Sequence, residues 1–258
     1  MIVQLLLRLR VVISTLVLAG LWQAVAMSGT VPEKYFPGIG KVLAGFVMMT
    51  ASGELLSNGA LTLGRAAMGL AGASVLGIAL AIASDLSPVL GKGFRPIAEA
   101  LQSIPPAAFV PMAIFSLGLG PKLYAFVIIL VTIWPPYFNG VAALAGVSEV
   151  QLQTGRMLGL GKLGLLWQIK LPAAMPEIFT GIRYAGTISM IAVIVCEMLA
   201  GRDGIGFMLF KKAFALKTPE VFALMFATAF GGLLLQALVS AARWVVTGWH
   251  ILMMERPA

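Results

Sequence analysis

The stretch LYAFVIILVTIWPPYFNGVAALAGVS (residues 123–148) runs for 26 residues without a charged side chain. A bilayer core needs roughly 20 apolar residues of helix, because each residue advances the helix by about 1.5 Å. The stretch is therefore long enough to cross a membrane. Its Pro135-Pro136 pair interrupts regular helical hydrogen bonding, which a span tolerates only where protein or water satisfies the freed carbonyls.

The same pattern recurs along the chain. Of the 258 residues, 60% are hydrophobic and 11% are charged, whereas a typical soluble domain has about 25% charged residues. We therefore predict an all-α polytopic membrane protein, in which residues 1–258 form a single transmembrane domain. Its six predicted spans lie at about 10–28, 60–84, 97–119, 122–145, 177–200 and 220–246.

The orientation follows from the ends of the chain. The first charge-free run continues to residue 32, longer than a signal-peptide core, so we predict an uncleaved first helix. Six spans place both termini on one side, and Arg8 and Arg10 favour the cytoplasmic side.

The net charge of +8 is spread along the chain, which predicts contact with membrane lipid and no nucleic-acid partner. A single cysteine and a single histidine predict no metal site.

The hexapeptide GLGKLG (159–164) fits the G-x-G-x-x-G template of a dinucleotide loop. No strand precedes it, and Leu163 stands where a Walker A loop needs Ser or Thr, so we predict no nucleotide site. The segment 146–172 instead reads as a short polar helix, a turn at Gly159 and a second amphipathic turn, closed by Pro172 and Pro176. Such a surface helix-turn-helix suits docking of a soluble partner. A merely solvated loop is the alternative on these grounds.

The spacing in this loop resembles the EAA motif of ABC importer permeases, which reads Glu-Ala-Ala, three residues, Gly, nine residues, Ile-x-Leu-Pro. Here the frame falls on QTG (153–155), Gly159 and IKLP (169–172), so Gln, Thr and Gly replace the acid and two alanines. Three further segments are similar to nitrate/sulfonate/taurine-type permeases: QSIPPAAFVPMAIFSLGLGPK (102–122), LPAAMPEIFTGIRYA (171–185) and CEMLAGRDGIGFML (196–209).

The resemblance implies a permease subunit of a binding-protein-dependent importer in the bacterial inner membrane. Its partners would be a second copy of the chain, two cytoplasmic ATP-binding subunits and an extracytoplasmic substrate-binding protein that delivers a small anionic or zwitterionic solute. ATP and Mg would bind to the partner ATPase subunits, so this chain would hold no cofactor and would not be an enzyme. The 146–172 loop, between spans 4 and 5, would be the cytoplasmic coupling helix. Its coupling residues would be Gln153, Thr154, Gly155, Arg156, Gly159, Ile169, Leu171 and Pro172.

Two ionisable residues, Arg183 and Glu197, lie within the fifth span. Such residues are default functional hypotheses, although snorkelling and helix packing are the alternatives. They are about 21 Å apart along a helix, so they cannot pair with each other. Weaker pathway candidates are Gln102, Ser103 and Asn139. A secondary transporter or a membrane scaffold without an ATPase partner remains the rival hypothesis, and the sequence leaves the solute and the effect of the QTG departure open.

Overall fold

The computed structural model describes the backbone of residues 2–254 and the side chains of Arg10 and residues 12–247. Within this part of the chain, every regular element is helical. The elements are α1 (Ile2–Met27), α2 (Ile39–Ala51), α3 (Glu54–Leu86), α4 (Pro88–Gln102), α5 (Pro106–Leu117), α6 (Pro121–Thr132), α7 (Trp134–Ala145), α8 (Glu149–Met157), α9 (Lys162–Leu165), a π-helical turn (Leu166–Lys170), α10 (Leu171–Ala200), α11 (Ile205–Phe214) and α12 (Thr218–Met254).

Four helical segments of the described chain are long and apolar enough to cross a membrane. They are Glu54–Leu86, Pro121–Ala145, Lys162–Ala200 and Thr218–Thr247. The predicted spans at 60–84, 122–145, 177–200 and 220–246 fall within or beside these segments. The prediction of an all-α membrane fold is therefore confirmed.

The predicted span at 97–119 is not a continuous helix. Helices α4 and α5 meet at an angle of 97°, so the pair forms either a broken span or a re-entrant loop. Pro105 and Pro106 lie at the bend, because proline lacks the N–H and its ring clashes with the preceding helical turn. The prolines of the segment 102–122 account for the break, whereas the start of α4 at Pro88 and the size of the bend are seen only in the structure.

The predicted span at 10–28 coincides with the second part of α1, which ends at Met27. Its described apolar portion, Val12–Met27, is shorter than the length that a bilayer core requires. This first of the six predicted spans therefore stays a prediction. Arg8, on which the predicted orientation depends, has a side chain outside the described residues.

The helical segment that contains the fifth span begins earlier than predicted. Lys162–Ala200 is a continuous helical segment, so Pro172 and Pro176 lie inside it and do not close the preceding loop. The π-helical turn Leu166–Lys170 comes directly before Pro172. Since π turns use a wider hydrogen-bonding pattern, this turn accommodates a proline that a regular helix would exclude. The second half of the predicted coupling loop, from Lys162 onward, is thus part of the same helical segment as the fifth span.

Small residues bring the central helices α3, α6, α7 and α10 close together. A Cβ atom on Gly69 of α3 would lie 2.2 Å from Cγ2 of Ile128 in α6, and one on Gly77 would lie 2.7 Å from the carbonyl oxygen of Ile133. Gly181 of α10 approaches α7 in the same way, with 2.8 Å to the carbonyl oxygen of Pro135. Such contacts drive association of membrane helices, because apolar side chains gain little by leaving lipid for one another.

Ion pairs mark the two ends of this bundle. At one end Lys212 of α11 contacts Glu220 at 2.6 Å and Glu54 at 3.5 Å. The close contact with Glu220 raises the pKa of Lys212, which lies outside the spans. At the other end Lys170 contacts Asp85 at 2.7 Å. Glu54 and Asp85 are both in α3, about 46 Å apart at the helical rise, so the two ion pairs lie on opposite sides of the membrane.

Candidate functional site

The predicted coupling loop, 146–172, contains α8 and turns sharply after it. Gly159 has φ +79°, and its N–H donates to the carbonyl of Arg156 at 3.0 Å while the N–H of Leu160 donates to that of Gly155 at 3.1 Å. A left-handed residue with such returning hydrogen bonds is a common way to end a helix, and glycine adopts it without a Cβ penalty. The GLGKLG motif is therefore a helix cap in this fold, and its first glycine sets the turn.

Gly155 is the buried residue of α8 and faces the following segment. A Cβ atom there would lie 2.3 Å from Cδ1 of Ile169 and 2.6 Å from Cδ2 of Leu165. The structure thus packs together two positions of the sequence motif, the third residue of QTG and the isoleucine of IKLP. This contact supplies a packing reason for glycine at 155, which helix propensity alone disfavours by about 1 kcal/mol relative to alanine.

Most of the remaining residues of α8 are exposed. Gln153, Thr154 and Arg156 are exposed, and Arg156 pairs with Glu149 on the same helix at 3.0 Å. Apolar side chains are also exposed here, with Met157 88% and Leu158 75% accessible. An exposed helix that carries both polar and apolar side chains is the form that docks into a groove of a partner.

The coupling loop is joined to α3 by a charge pair. The Lys170 ammonium donates to both carboxylate oxygens of Asp85, at 2.7 and 2.9 Å, and both side chains are mostly buried. Lys170 is the variable residue of IKLP, with Leu171 and Pro172 opening α10 after it. A movement of α8 and the π-helical turn would therefore be passed to two spans, α10 directly and α3 through Asp85.

Glu197 lies at the opposite end of α10 and is fully buried. Its carboxylate accepts hydrogen bonds from Nη1 of Arg65 at 2.8 Å and from the backbone N–H of Gly206 at 2.9 Å, and the Thr62 hydroxyl contacts it at 2.9 Å. A buried carboxylate needs such partners, because desolvation of an unpaired charge is costly. Glu197 therefore holds α3, α10 and the start of α11 together.

The glycines of CEMLAGRDGIGFML explain how the backbone approaches this carboxylate. A Cβ atom on Gly204 would lie 2.2 Å from the Glu197 carboxyl carbon, and one on Gly206 would lie 2.7 Å from its Cβ. Gly204 also has φ +94°. Only glycine fits these positions, so the loop after α10 is built around Glu197.

Arg65 is a central residue that the sequence analysis missed. Besides Glu197 it contacts Asp203 through Nη2, and its guanidinium lies 4.1 Å from the centroid of the Tyr124 ring. A cation over an aromatic face is attracted by the ring quadrupole. The available signal was an arginine directly before the charge-free run 66–84, but its acidic partners are more than 130 positions away in the sequence.

Two of the weaker pathway candidates donate hydrogen bonds to the backbone of the preceding helical turn. The Asn139 amide donates to the carbonyl of Pro135 at 2.9 Å, which satisfies one oxygen near the double proline. Ser103 donates to the carbonyl of Glu99 at 3.0 Å, and with Gln102 it stands at the end of α4, before the 97° bend.

Arg183 is exposed and lies apart from Glu197. It lines a cavity between α10 and α12 together with Arg243. Among the described side chains, Arg183, Glu197, Gln102, Ser103 and Asn139 form no hydrogen bond or ion pair with one another. These five predicted residues therefore do not form a single site in the structure.

The helical fold and the capped loop define a class of membrane transport component, and comparison with known families agrees. Residues 73–246 match the family of binding-protein-dependent transport system inner membrane components. The chain belongs to this family, which confirms the resemblance drawn from the loop. The family is one of transport components and not of enzymes, and with the apolar helices it places the chain in the inner membrane as a multi-pass protein.

Individual relatives are permeases of one type. The chain is 32% identical over 180 residues to a nitrate import permease protein of Leptolyngbya laminosa, covering 70% of this chain and 64% of the relative. It is 28% identical over 241 residues to the taurine transport system permease protein of Escherichia coli (strain K12), covering 91% and 87%. A bicarbonate transport system permease protein of Synechocystis sp. is 30% identical over 67% of this chain. The match spans slightly less than two thirds of the nitrate permeases' own length.

Proposed function

We propose that this chain is the permease subunit of an ATP-driven importer of the bacterial inner membrane. Two copies form the translocation pathway, two cytoplasmic ATP-binding subunits dock on the α8 segments, and an extracytoplasmic binding protein delivers the solute. ATP and Mg bind to these ATP-binding subunits and not to this chain. The exposed, capped helix α8 is the observation that carries this proposal, because its exposed apolar side chains have no packing role inside the chain.

The mechanism follows from how α8 is attached. Gly155 packs on Ile169, and Lys170 holds the end of α3 through Asp85. When the ATP-binding subunits close, α8 moves with them, and the π-helical turn carries this movement into α10 while the ion pair carries it into α3. Such a bistable arrangement of spans, biased by nucleotide on one side and solute on the other, gives alternating access.

The solute we propose is a small anion or zwitterion. The relatives are named for nitrate, bicarbonate and taurine, all of which carry a compact anionic group. The exposed Arg183, which has no acidic partner among the described residues, is a pathway candidate consistent with such a group. Glu197 is instead a gate or packing residue at the opposite end, because its charge is already neutralised by Arg65.

A substitution on α8 tests the docking. Met157→Asp places a charge in the proposed interface, so we expect at least about a tenfold loss of ATP-binding subunit recovered with the purified permease. Val89→Asp is the matched control, since Val89 is 84% exposed at the same end of the bundle but lies in α4. Equal recovery of the ATP-binding subunit with both variants would contradict the proposal, and solute uptake without any ATP-binding subunit would favour a secondary transporter.

A further inference from the structure

A cavity of about 260 Å³ lies between α10 and α12, at the end of the apolar spans that is nearer to the coupling loop. Its lining combines two arginines, two aromatic rings and a hydroxyl. These residues are Phe179, Arg183, Val239, Ser240, Arg243 and Trp244. The Gln236 side chain fixes the two helices beside it, because its amide donates to the carbonyl of Arg183 at 2.9 Å and to the Thr187 hydroxyl at 2.7 Å.

The two arginines of this cavity lack the partners that the other membrane-embedded arginine has. Arg65 is held by two carboxylates, whereas no carboxylate of the described residues lies within 4.0 Å of Arg183 or Arg243. The Nε atom of Arg243 is buried and has no hydrogen-bond acceptor. Two like charges beside one cavity, with no carboxylate near either of them, are unfavourable unless an anion neutralises them.

The depth of the cavity indicates which group meets these arginines. Arg243 follows directly after the charge-free run 221–242, and the neighbouring Trp244 is 69% exposed. Tryptophan is enriched where the apolar core meets the headgroups, and basic pockets between spans bind anionic headgroups. The guanidinium fork also matches the spacing of oxygens on phosphate-like anions.

We propose that Arg183 and Arg243 form a binding site for an oxyanion of the phosphate type. Arg243 lines the site from α12 and Arg183 lines it from α10, with the rings of Phe179 and Trp244 beside them. The same chemistry can be supplied by the phosphodiester of an anionic lipid or by a free oxyanion that reaches the cavity. This site shares Arg183 with the pathway candidates of the proposed function, but its test does not depend on that function, since anion binding requires no ATP-binding subunit activity.

The test uses the complete permease in nanodiscs, with two arms. In the first arm the discs contain phosphatidylglycerol within phosphatidylcholine, and lipid retained after release is counted by native mass spectrometry. In the second arm the discs contain phosphatidylcholine alone, and inorganic phosphate is titrated by calorimetry. We expect Arg183→Gln and Arg243→Gln each to weaken binding about tenfold in one arm, as loss of a charge-assisted hydrogen bond predicts.

The control is Arg95→Gln, because Arg95 is exposed and already paired with Glu99, so binding should not change. A loss confined to the lipid arm assigns the site to a phosphodiester, and a loss in the phosphate arm assigns it to a free anion. Equal binding by the wild type and both variants in both arms would overturn the proposal, as would no binding by the wild type. Arg183 is exposed, so Arg183→Gln keeps the test decisive even if Arg243→Gln fails to fold.

Discussion

At the residue scale, Glu197 is the position where burial and charge conflict most strongly. The carboxylate is fully buried and is held by three groups from α3 and α11. Removing one member of a buried pair leaves the other charge uncompensated, which costs more than the pair itself contributes. The same logic identifies Arg65 as its obligatory partner.

We therefore expect Glu197→Gln to destabilise the protein by about 3 kcal/mol, because Arg65 loses one of its two carboxylates inside the bundle. The measurement is thermal unfolding of the purified permease in detergent. Glu99→Gln is the control, since its exposed pair with Arg95 should contribute less than about 1 kcal/mol. Similar melting temperatures for the two variants would contradict a structural role for Glu197.

Gly159 is a position whose backbone conformation favours glycine. It has φ +79°, where an L-residue costs about 1–2 kcal/mol. We expect Gly159→Ala to loosen the end of α8, seen as faster amide hydrogen exchange across Glu149–Met157 and lower coupled ATPase activity. Gly161→Ala is a matched control within the same motif, because Gly161 has φ −73° and open space around its Cβ position. If both variants exchange alike, the cap at Gly159 does not set the turn.

At the element scale, the π-helical turn is linked to α3 by an ion pair. Lys170 and Asp85 are separated by 85 positions in the sequence but meet at the end of two spans. Their mostly buried contact links α3 to the segment that carries α8. The bend between α4 and α5 lies outside this linked pair, so those two helices need not follow α8 directly.

We expect Lys170→Met to separate ATP hydrolysis from transport, because α8 could then move without drawing α3. The measurement is the ratio of solute imported to ATP hydrolysed in proteoliposomes, which should fall several-fold. The charge exchange Lys170→Asp with Asp85→Lys should restore much of the ratio. Arg95→Met removes an exposed pair on α4, outside the coupling loop, and should leave the ratio near the wild-type value. An unchanged ratio in Lys170→Met would rule out the Asp85 link.

At the scale of the whole molecule, the ion pairs at the two ends of α3 define which loops share a side of the membrane. Lys170 with Asp85 mark one side, and Lys212 with Glu54 and Glu220 mark the other. The segment before α3 lies with the second set, since the Thr218 hydroxyl donates to the carbonyl of Lys34. The α8 loop and the start of α2 are therefore on opposite sides.

A cysteine pair tests this topology. We expect a membrane-impermeant maleimide to label Arg156→Cys only in inverted vesicles and Lys41→Cys only in intact cells. The native Cys196 is buried, so the wild-type chain serves as the unlabelled control. Labelling of both variants from the same side would show that the described helices are threaded through the membrane in another way.

The sequence by itself determined the membrane class, most of the spans and the turn of the coupling loop. These properties are local, since a charge-free run of sufficient length must be helical in lipid, and a glycine at a helix end caps it. Only the tertiary structure decided that Glu197 pairs with Arg65, that Lys170 reaches Asp85, and that α5 turns through 97° from α4. Pairing over 85 to 132 positions depends on how closely the glycine-bearing faces of α3, α7 and α10 approach. That distance is set by packing in three dimensions and is not carried by any one stretch of residues.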